Sequence, residues 1–271
     1  MDALQAIVLG IVQGLTEFLP ISSSGHLRIV PALFGWEDPG AAFTAVIQLG
    51  TMAAVLLYFR KDLWRITSTW LRSLRRPELR GELDARMGWY IIAGTVPISV
   101  LGLAFSDQIE NEARNLYLIG TTLIVLGLVL YAVDRTAVRE RDVTAVTLRD
   151  SVIIGFAQAL ALVPGVSRSG ATITAGLLLG FDRASAARYS FLLSVPAVVL
   201  SGLFEMRKIG EEEGAGLGPT ILGTIFAFIV GYASIAFLLR WLASHTMSIF
   251  VVYRVALGVL VLALAGAGVI A

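Results

Sequence analysis

The sequence predicts an all-α polytopic membrane protein: six transmembrane helices plus two re-entrant helix pairs, arranged as an inverted-topology repeat. Three observations carry this. Hydrophobic residues make up 56% of the 271 positions and charged residues only 15%, with a mean hydropathy of +0.79, well outside the mixture of a soluble domain. The apolar residues fall in long runs without the period-2 alternation of membrane strands. Two polar, glycine-bearing stretches, Phe18 to His26 and Val163 to Thr172, interrupt otherwise apolar segments.

In chain order, the first segment, Leu4 to Phe34, is apolar at both ends but broken at Pro20, and reads as a re-entrant pair rather than a span. Spans follow over Phe43–Phe59, Trp89–Phe105 and Leu116–Val133, each near the length of about 20 residues that a bilayer requires. Ser151 to Phe181 is a second broken segment, interrupted at Pro164-Gly165, and three more spans cover Tyr189–Phe204, Thr220–Leu239 and Ile249–Ile270. Met1-Asp2 offers no basic n-region, so the N-terminus is expected to be retained. With no cysteine, disulfides and thiolate metal sites are excluded, and a net charge of +1 gives no nucleic-acid surface.

The two halves match each other. Gln13 and Gln158, Ser22 and Ser167, Ser24 and Ser169, and Gly25 and Gly170 all fall at one offset of 145, and each broken segment precedes three spans. The single integral domain, residues 1–271, thus divides into pseudo-repeat halves of about 1–135 and 146–271. Three crossings per half is odd, so the second half is inverted relative to the first. Arg60 to Arg86 and Arg135 to Arg149 are basic connections, which places them in the cytoplasm; Asp107–Glu112 and Glu205–Glu213 are acidic or mixed, as the outer side permits. The first re-entrant pair then enters from outside and the second from the cytoplasm. Their tips, Ser22–His26 and Ser167–Thr172, meet near mid-membrane in one composite site.

Residue types define what that site binds. Ser22, Ser23 or Ser24 caps a helix starting near Gly25, and Ser167 or Ser169 caps a second one. Two converging helix N-termini favour an anion, and Arg168 adds a planar fork for two phosphate oxygens. The phosphate-binding candidates are therefore Ser22, Ser24, Gly25, Ser167, Ser169, Gly170 and Thr172. Gln13 and Glu17 lie four residues apart on one helix face. A carboxylate beside phosphate calls for an intervening cation, so Glu17 and Gln13 are candidate ligands of Mg²⁺ or Ca²⁺; the other reading pairs Glu17 with Arg28 or Arg168. His26 is a candidate proton carrier. His245 is assigned no role.

The run Gln13 to His26, together with Pro164 to Thr172, closely resembles the bacterial undecaprenyl-diphosphate phosphatase family of the bacitracin-resistance type. The likeness extends over nearly the whole chain, including Val46–Gly50 and Ser190–Pro196. It implies removal of the terminal phosphate from a C55 isoprenyl diphosphate at the outer face of the bacterial cytoplasmic membrane, divalent-metal dependence and a homodimer. That family carries Glu or Gln at the first motif position, and Gln13 leaves Glu17 as the only acid of the pair. Carried over by position, Glu17, Ser23, His26 and Arg168 form the reacting centre. The preferred assignment has Ser23 attack the terminal phosphorus, with His26 as acid or base; the rival makes His26 the nucleophile or the activator of water.

The competing function class is an inverted-repeat transporter, specifically a flippase of a phosphorylated lipid, because broken helices around a midplane anion site also suit transport. A nucleophile, proton carrier, carboxylate and arginine occurring together favour an enzyme. Tyr253-Arg254 in the last apolar run has two readings, contact with the active cavity or, as preferred for an arginine near a span's cytoplasmic end, snorkelling. Trp64, Trp70 and Trp89 read as an interfacial belt, the Arg60–Arg86 loop as a surface for anionic lipid, and the small residues of Leu257–Gly268 as a helix-packing or dimer face.

Overall fold

The structure is a computed structural model that describes residues 1–105, 115–205 and 216–270, with only the backbone described at 41–42 and 201–205. Its α-helices are α1 (Ala3–Phe18), α2 (Ser23–Phe34), α3 (Gly40–Tyr58), α4 (Arg60–Ser73), α5 (Leu83–Ala104), α6 (Leu116–Thr136), α7 (Leu148–Ala159), α8 (Arg168–Leu178), α9 (Arg183–Glu205), α10 (Leu217–Leu242) and α11 (Ser248–Gly266). Local chemistry sets the ends that matter for the site. Asp2 starts α1 with a capping box closed by Gln5. Leu19, directly before Pro20, turns extended and ends the helix. Thr147 and Asp150 form the matching box at the start of α7, which runs through a 3-10 turn, Leu160–Leu162, into the break at Pro164-Gly165.

Both broken segments are therefore helix pairs, α1–α2 and α7–α8, and each leading helix packs on the middle span of the opposite half: α1 on α10, and α7 on α5. Glycines make these contacts close. A Cβ on Gly10 would sit 2.3 Å from the Gly223 carbonyl oxygen, and one on Gly155 would sit 2.3 Å from that of Gly94. Without lipid-excluding force between apolar helices, such backbone approach is a main source of cohesion. Gly10 and Gly155 differ by the same 145 residues as the serines at the breaks, so the exchange of packing partners follows the repeat.

Among the described residues four helices, α5, α6, α10 and α11, are long and apolar enough to cross a membrane, and there are five if the pair α3–α4, bent by 74°, is taken as one span. The sixth expected span falls on α9, which has 23 residues but does not meet that test. Its Ser185, Ser190 and Ser194 are buried against protein together with Tyr189, Phe191 and Leu193. A helix enclosed by other helices does not need an apolar circumference, which accounts for the low hydropathy of α9.

The bend before α4 turns a helix rich in Arg and Lys sideways. Its inner face packs Trp70 against Gly88 and edge-on to Trp89, while Trp64 and Leu71 stay exposed. Of the predicted belt, Trp64 and Trp89 are exposed, whereas the Trp70 ring packs inward. At the base of α7, Arg141 joins Asp150 (2.5 Å) to the Leu179 and Ala145 carbonyls (2.7 and 2.8 Å), fastening this basic loop to the end of α8. The acidic or mixed connections at 107–112 and 205–213 lie outside the described residues, apart from the Glu205 backbone.

Candidate active site

The site forms where the two breaks touch. Ser22 and Ser167 are the only non-glycine residues with positive φ among the described residues, at 76° and 69°. Backbone held there costs on the order of 1–3 kcal/mol, and persists only where its surroundings enforce it. Each serine caps the helix that follows: Ser22 Oγ accepts from the Gly25 amide (3.4 Å), and Ser167 Oγ from the Gly170 amide (3.1 Å). The N-termini of α2 and α8 converge, since a Cβ on Gly25 would meet Gly165 Cα at 3.7 Å, and Ser169 Oγ donates to the Leu19 carbonyl (3.0 Å) across the two breaks.

Glu17, at the end of α1, lies at the centre. Its Oε2 accepts from Ser23 Oγ at 2.6 Å and from Gln13 Nε2 at 3.1 Å, and its Oε1 from Arg168 Nη2. Of the two pairings open for Glu17, the structure shows the one with Arg168; Arg28 instead stands 3.8 Å from Asp38. The Gln13 amide also reaches Thr51 Oγ1 (3.4 Å) on α3. Gln13, Glu17, Ser23 and Arg168 are thus brought into one hydrogen-bonded set. Ser24 stands 3.4 Å from Ser22, and Ser169 3.2 Å from Ser167, at the two caps. The Thr172 hydroxyl turns away, to Ser190 at 2.6 Å and to the Arg168 carbonyl, and ties α8 to α9.

His26 sits one turn into α2 and is 4% exposed. Its Nδ1 lies 2.7 Å from the Ser22 carbonyl oxygen and its Nε2 lies 2.8 Å from the Tyr253 hydroxyl. Next to Tyr253, Arg254 is fully buried. It donates through Nη1 to the Pro20 carbonyl (3.1 Å) and through Nη2 to those of Gly165 and Val166 (3.3 and 3.2 Å). One guanidinium therefore holds the carbonyls that both breaks leave without helical partners.

This corrects the snorkelling reading. Position 254 lies six residues past the start of α11, about 9 Å along the axis at 1.5 Å per residue, too deep for an easy escape to water. The signal was an arginine within an apolar run; missing was the knowledge that unpaired carbonyls lay beside it. Thr51 carried no sequence signal, being an ordinary polar residue in an apolar helix.

Leaving a buried carbonyl without its donor typically costs about 1–3 kcal/mol, and Arg254 serves three of them at the breaks. Arg254→Met is accordingly expected to lower the thermal unfolding midpoint of the purified protein markedly and to reduce activity. A melting curve coincident with the parent would show that the breaks hold without this residue.

The bacitracin resistance protein BacA family matches residues 6–260 of the chain. The chain belongs to that family. It is 60% identical to an undecaprenyl-diphosphatase of Nocardioides sp., over 100% of this chain and 99% of the relative. It is 57% identical to one of Thermobifida fusca, over 100% and 92%, and 55% identical to one of Mycolicibacterium smegmatis, over 100% and 99%. The family match takes in both breaks, Arg254 and every residue of the site.

Charge and donor geometry agree with an anionic ligand. Two helix N-termini, Arg168 and Arg254 surround a single carboxylate, so the neighbourhood carries excess positive potential. Among the described residues no three His, Asp or Glu side chains gather as a ready-made metal cage. One carboxylate, the Gln13 amide and the hydroxyls of Ser23 and Thr51 are, however, hard oxygen donors. They suit an ion that takes its remaining ligands from water and substrate phosphate.

Proposed function

We propose that this protein hydrolyses undecaprenyl diphosphate to undecaprenyl phosphate and inorganic phosphate, returning the lipid carrier to cell-wall synthesis. The observation that carries the reading is the 2.6 Å hydrogen bond from Ser23 Oγ to Glu17 Oε2, with Arg168 on the other carboxylate oxygen: a hydroxyl with a base on its proton and a cation beside it. The names and coverage of the relatives support the substrate. A transporter has no need of a nucleophile–base pair, which favours hydrolysis over flipping of the lipid.

In the proposed sequence, Ser23 Oγ attacks the terminal phosphorus and its proton passes to Glu17. The Oγ–P bond forms as the bond from phosphorus to the bridging oxygen breaks, and undecaprenyl phosphate leaves. Water then attacks the phosphoserine and yields its proton to His26 Nε2. Ser23 Oγ departs and regains the proton from Glu17, His26 passes its proton to the departing phosphate or to water, and inorganic phosphate is released. Arg168 and the amides at the starts of α2 and α8 face the charge that grows on the transferred phosphoryl group. Glu17 and Gln13 would hold a divalent cation, Mg²⁺ or Ca²⁺, which when bound supplies further neutralisation of phosphate charge. The remaining parts of the reading are a homodimer in the bacterial cytoplasmic membrane, with the site open to the periplasmic side; the basic connections support that orientation.

Phosphate release from a C55 isoprenyl diphosphate by the purified protein in detergent tests the reading. We expect turnover that is lost on exhaustive divalent chelation and restored by Mg²⁺. No release in the presence of metal would refute the phosphatase assignment, and release indifferent to chelation would remove the cation alone.

A further inference from the structure

His26 has two ring nitrogens with different kinds of partner. The Ser22 carbonyl oxygen, 2.7 Å from Nδ1, can only accept, so Nδ1 carries a proton. The same oxygen accepts from the His26 backbone amide at 3.2 Å, which fixes the ring on the first turn of α2. In the neutral ring the lone pair is then on Nε2, where the Tyr253 hydroxyl, 2.8 Å away, is the donor. The two rings lie nearly parallel, 10° apart with centroids at 5.5 Å, so both the ring plane and the tautomer are defined.

We propose that Tyr253 is a positioning residue of this site: with the proton fixed on Nδ1 by the Ser22 carbonyl, its hydroxyl donates to Nε2 and holds the His26 ring so that this nitrogen is the one presented to the reaction. The proposal rests on the reading of His26 as the proton carrier. Two features make Tyr253 suited to this. Its backbone is anchored by its neighbour Arg254, which is tied to the carbonyls of both breaks, so the phenol keeps a fixed relation to Ser22 and Ser167. The residue is 45% exposed rather than locked in the core, so the phenol can shift off Nε2 without disturbing the packing around it. A buried tyrosine in the same place would block the nitrogen that it orients.

The chain contains only two histidines, which makes a direct test available. Protein with ¹⁵N-labelled imidazoles, carrying His245→Gln to remove the exposed second ring, gives a spectrum of His26 alone. At neutral pH and without substrate, the parent should show a protonated Nδ1 and an unprotonated, hydrogen-bonded Nε2. Tyr253→Phe, which keeps the aromatic ring, should move the Nε2 resonance toward its unbonded position while Nδ1, held by the Ser22 carbonyl, stays protonated. It should also lower kcat about fivefold, the equivalent of one hydrogen bond of about 1 kcal/mol, with KM little changed. A parent ring protonated at Nε2, or a Tyr253→Phe protein that matches the parent in spectrum or in kcat, would overturn the proposal. Because the spectrum is read without substrate, it stands or falls separately from the phosphatase reading.

Discussion

Ser23→Ala is expected to abolish phosphate release while leaving substrate binding in place. The methyl group offers no attacking oxygen, but the substrate anion still meets Arg168 and the amides at the starts of α2 and α8. Ser23 also donates to Glu17, so the substitution leaves Glu17 with Gln13 and Arg168 as partners and should not unfold the site. His26→Ala has a different signature. A proton-transfer group contributes about 10²–10⁴-fold, so slow turnover should persist. Rapid quench with radiolabelled diphosphate is expected to trap label on Ser23. Substantial turnover by Ser23→Ala, or label on His26, would transfer the nucleophile's role to the histidine.

Much of this site was legible because membranes make polar backbone conspicuous. Pro20 and Pro164-Gly165 in apolar segments announced broken helices, and the shared offset of 145 announced that two of them belong together. The caps at Ser22 and Ser167 follow from side-chain chemistry local to a few residues, which a sequence carries in full. What it does not carry is which long-range partner each group meets. Glu17 had Arg28 or Arg168 to choose from, and the choice depends on how α8 approaches α1. For Arg254 the sequence favours snorkelling over contact with the cavity, because its depth in α11 and the carbonyls of two distant breaks are properties of the assembled fold. α9 shows the same limit from the other side: its serines depress hydropathy because they face protein, and composition alone cannot tell a protein-facing position from a lipid-facing one.

The exchange of packing partners between halves explains why the site is composite. α1 brings Gln13 and Glu17 but packs on α10 of the other half, and α7, which leads to Arg168, packs on α5 of the first. Ser169 to Leu19, Arg168 to Glu17, and Arg254 to Pro20 all cross between the halves. A half alone would leave Glu17 without its counter-charge, Arg168 without its carboxylate, and the Leu19 and Pro20 carbonyls without these donors, losses that each cost on the order of a kilocalorie or more. Pairing of the halves and assembly of the reacting groups are therefore one event.

Arg168→Lys should reduce kcat by about 10²–10³-fold, the usual effect of removing one preorganised donor to a developing phosphoryl charge. The charge survives this substitution, so a simple electrostatic role would be largely preserved. The guanidinium does more. It gives Nη2 to Glu17 and has further N–H groups in the same plane for phosphate oxygens, a fork that an ammonium on a flexible stem cannot reproduce. Its place as the first residue of α8, after the strained Ser167 cap, also sets the direction of that fork, and a lysine would need a different approach to reach both partners. The loss should fall on kcat more than on KM, since the missing contacts are strongest when charge peaks on the transferred group. Near-parent kcat in folded, membrane-inserted Arg168→Lys protein would reduce Arg168 to a counter-charge for Glu17 and leave phosphate recognition to the amides at the starts of α2 and α8.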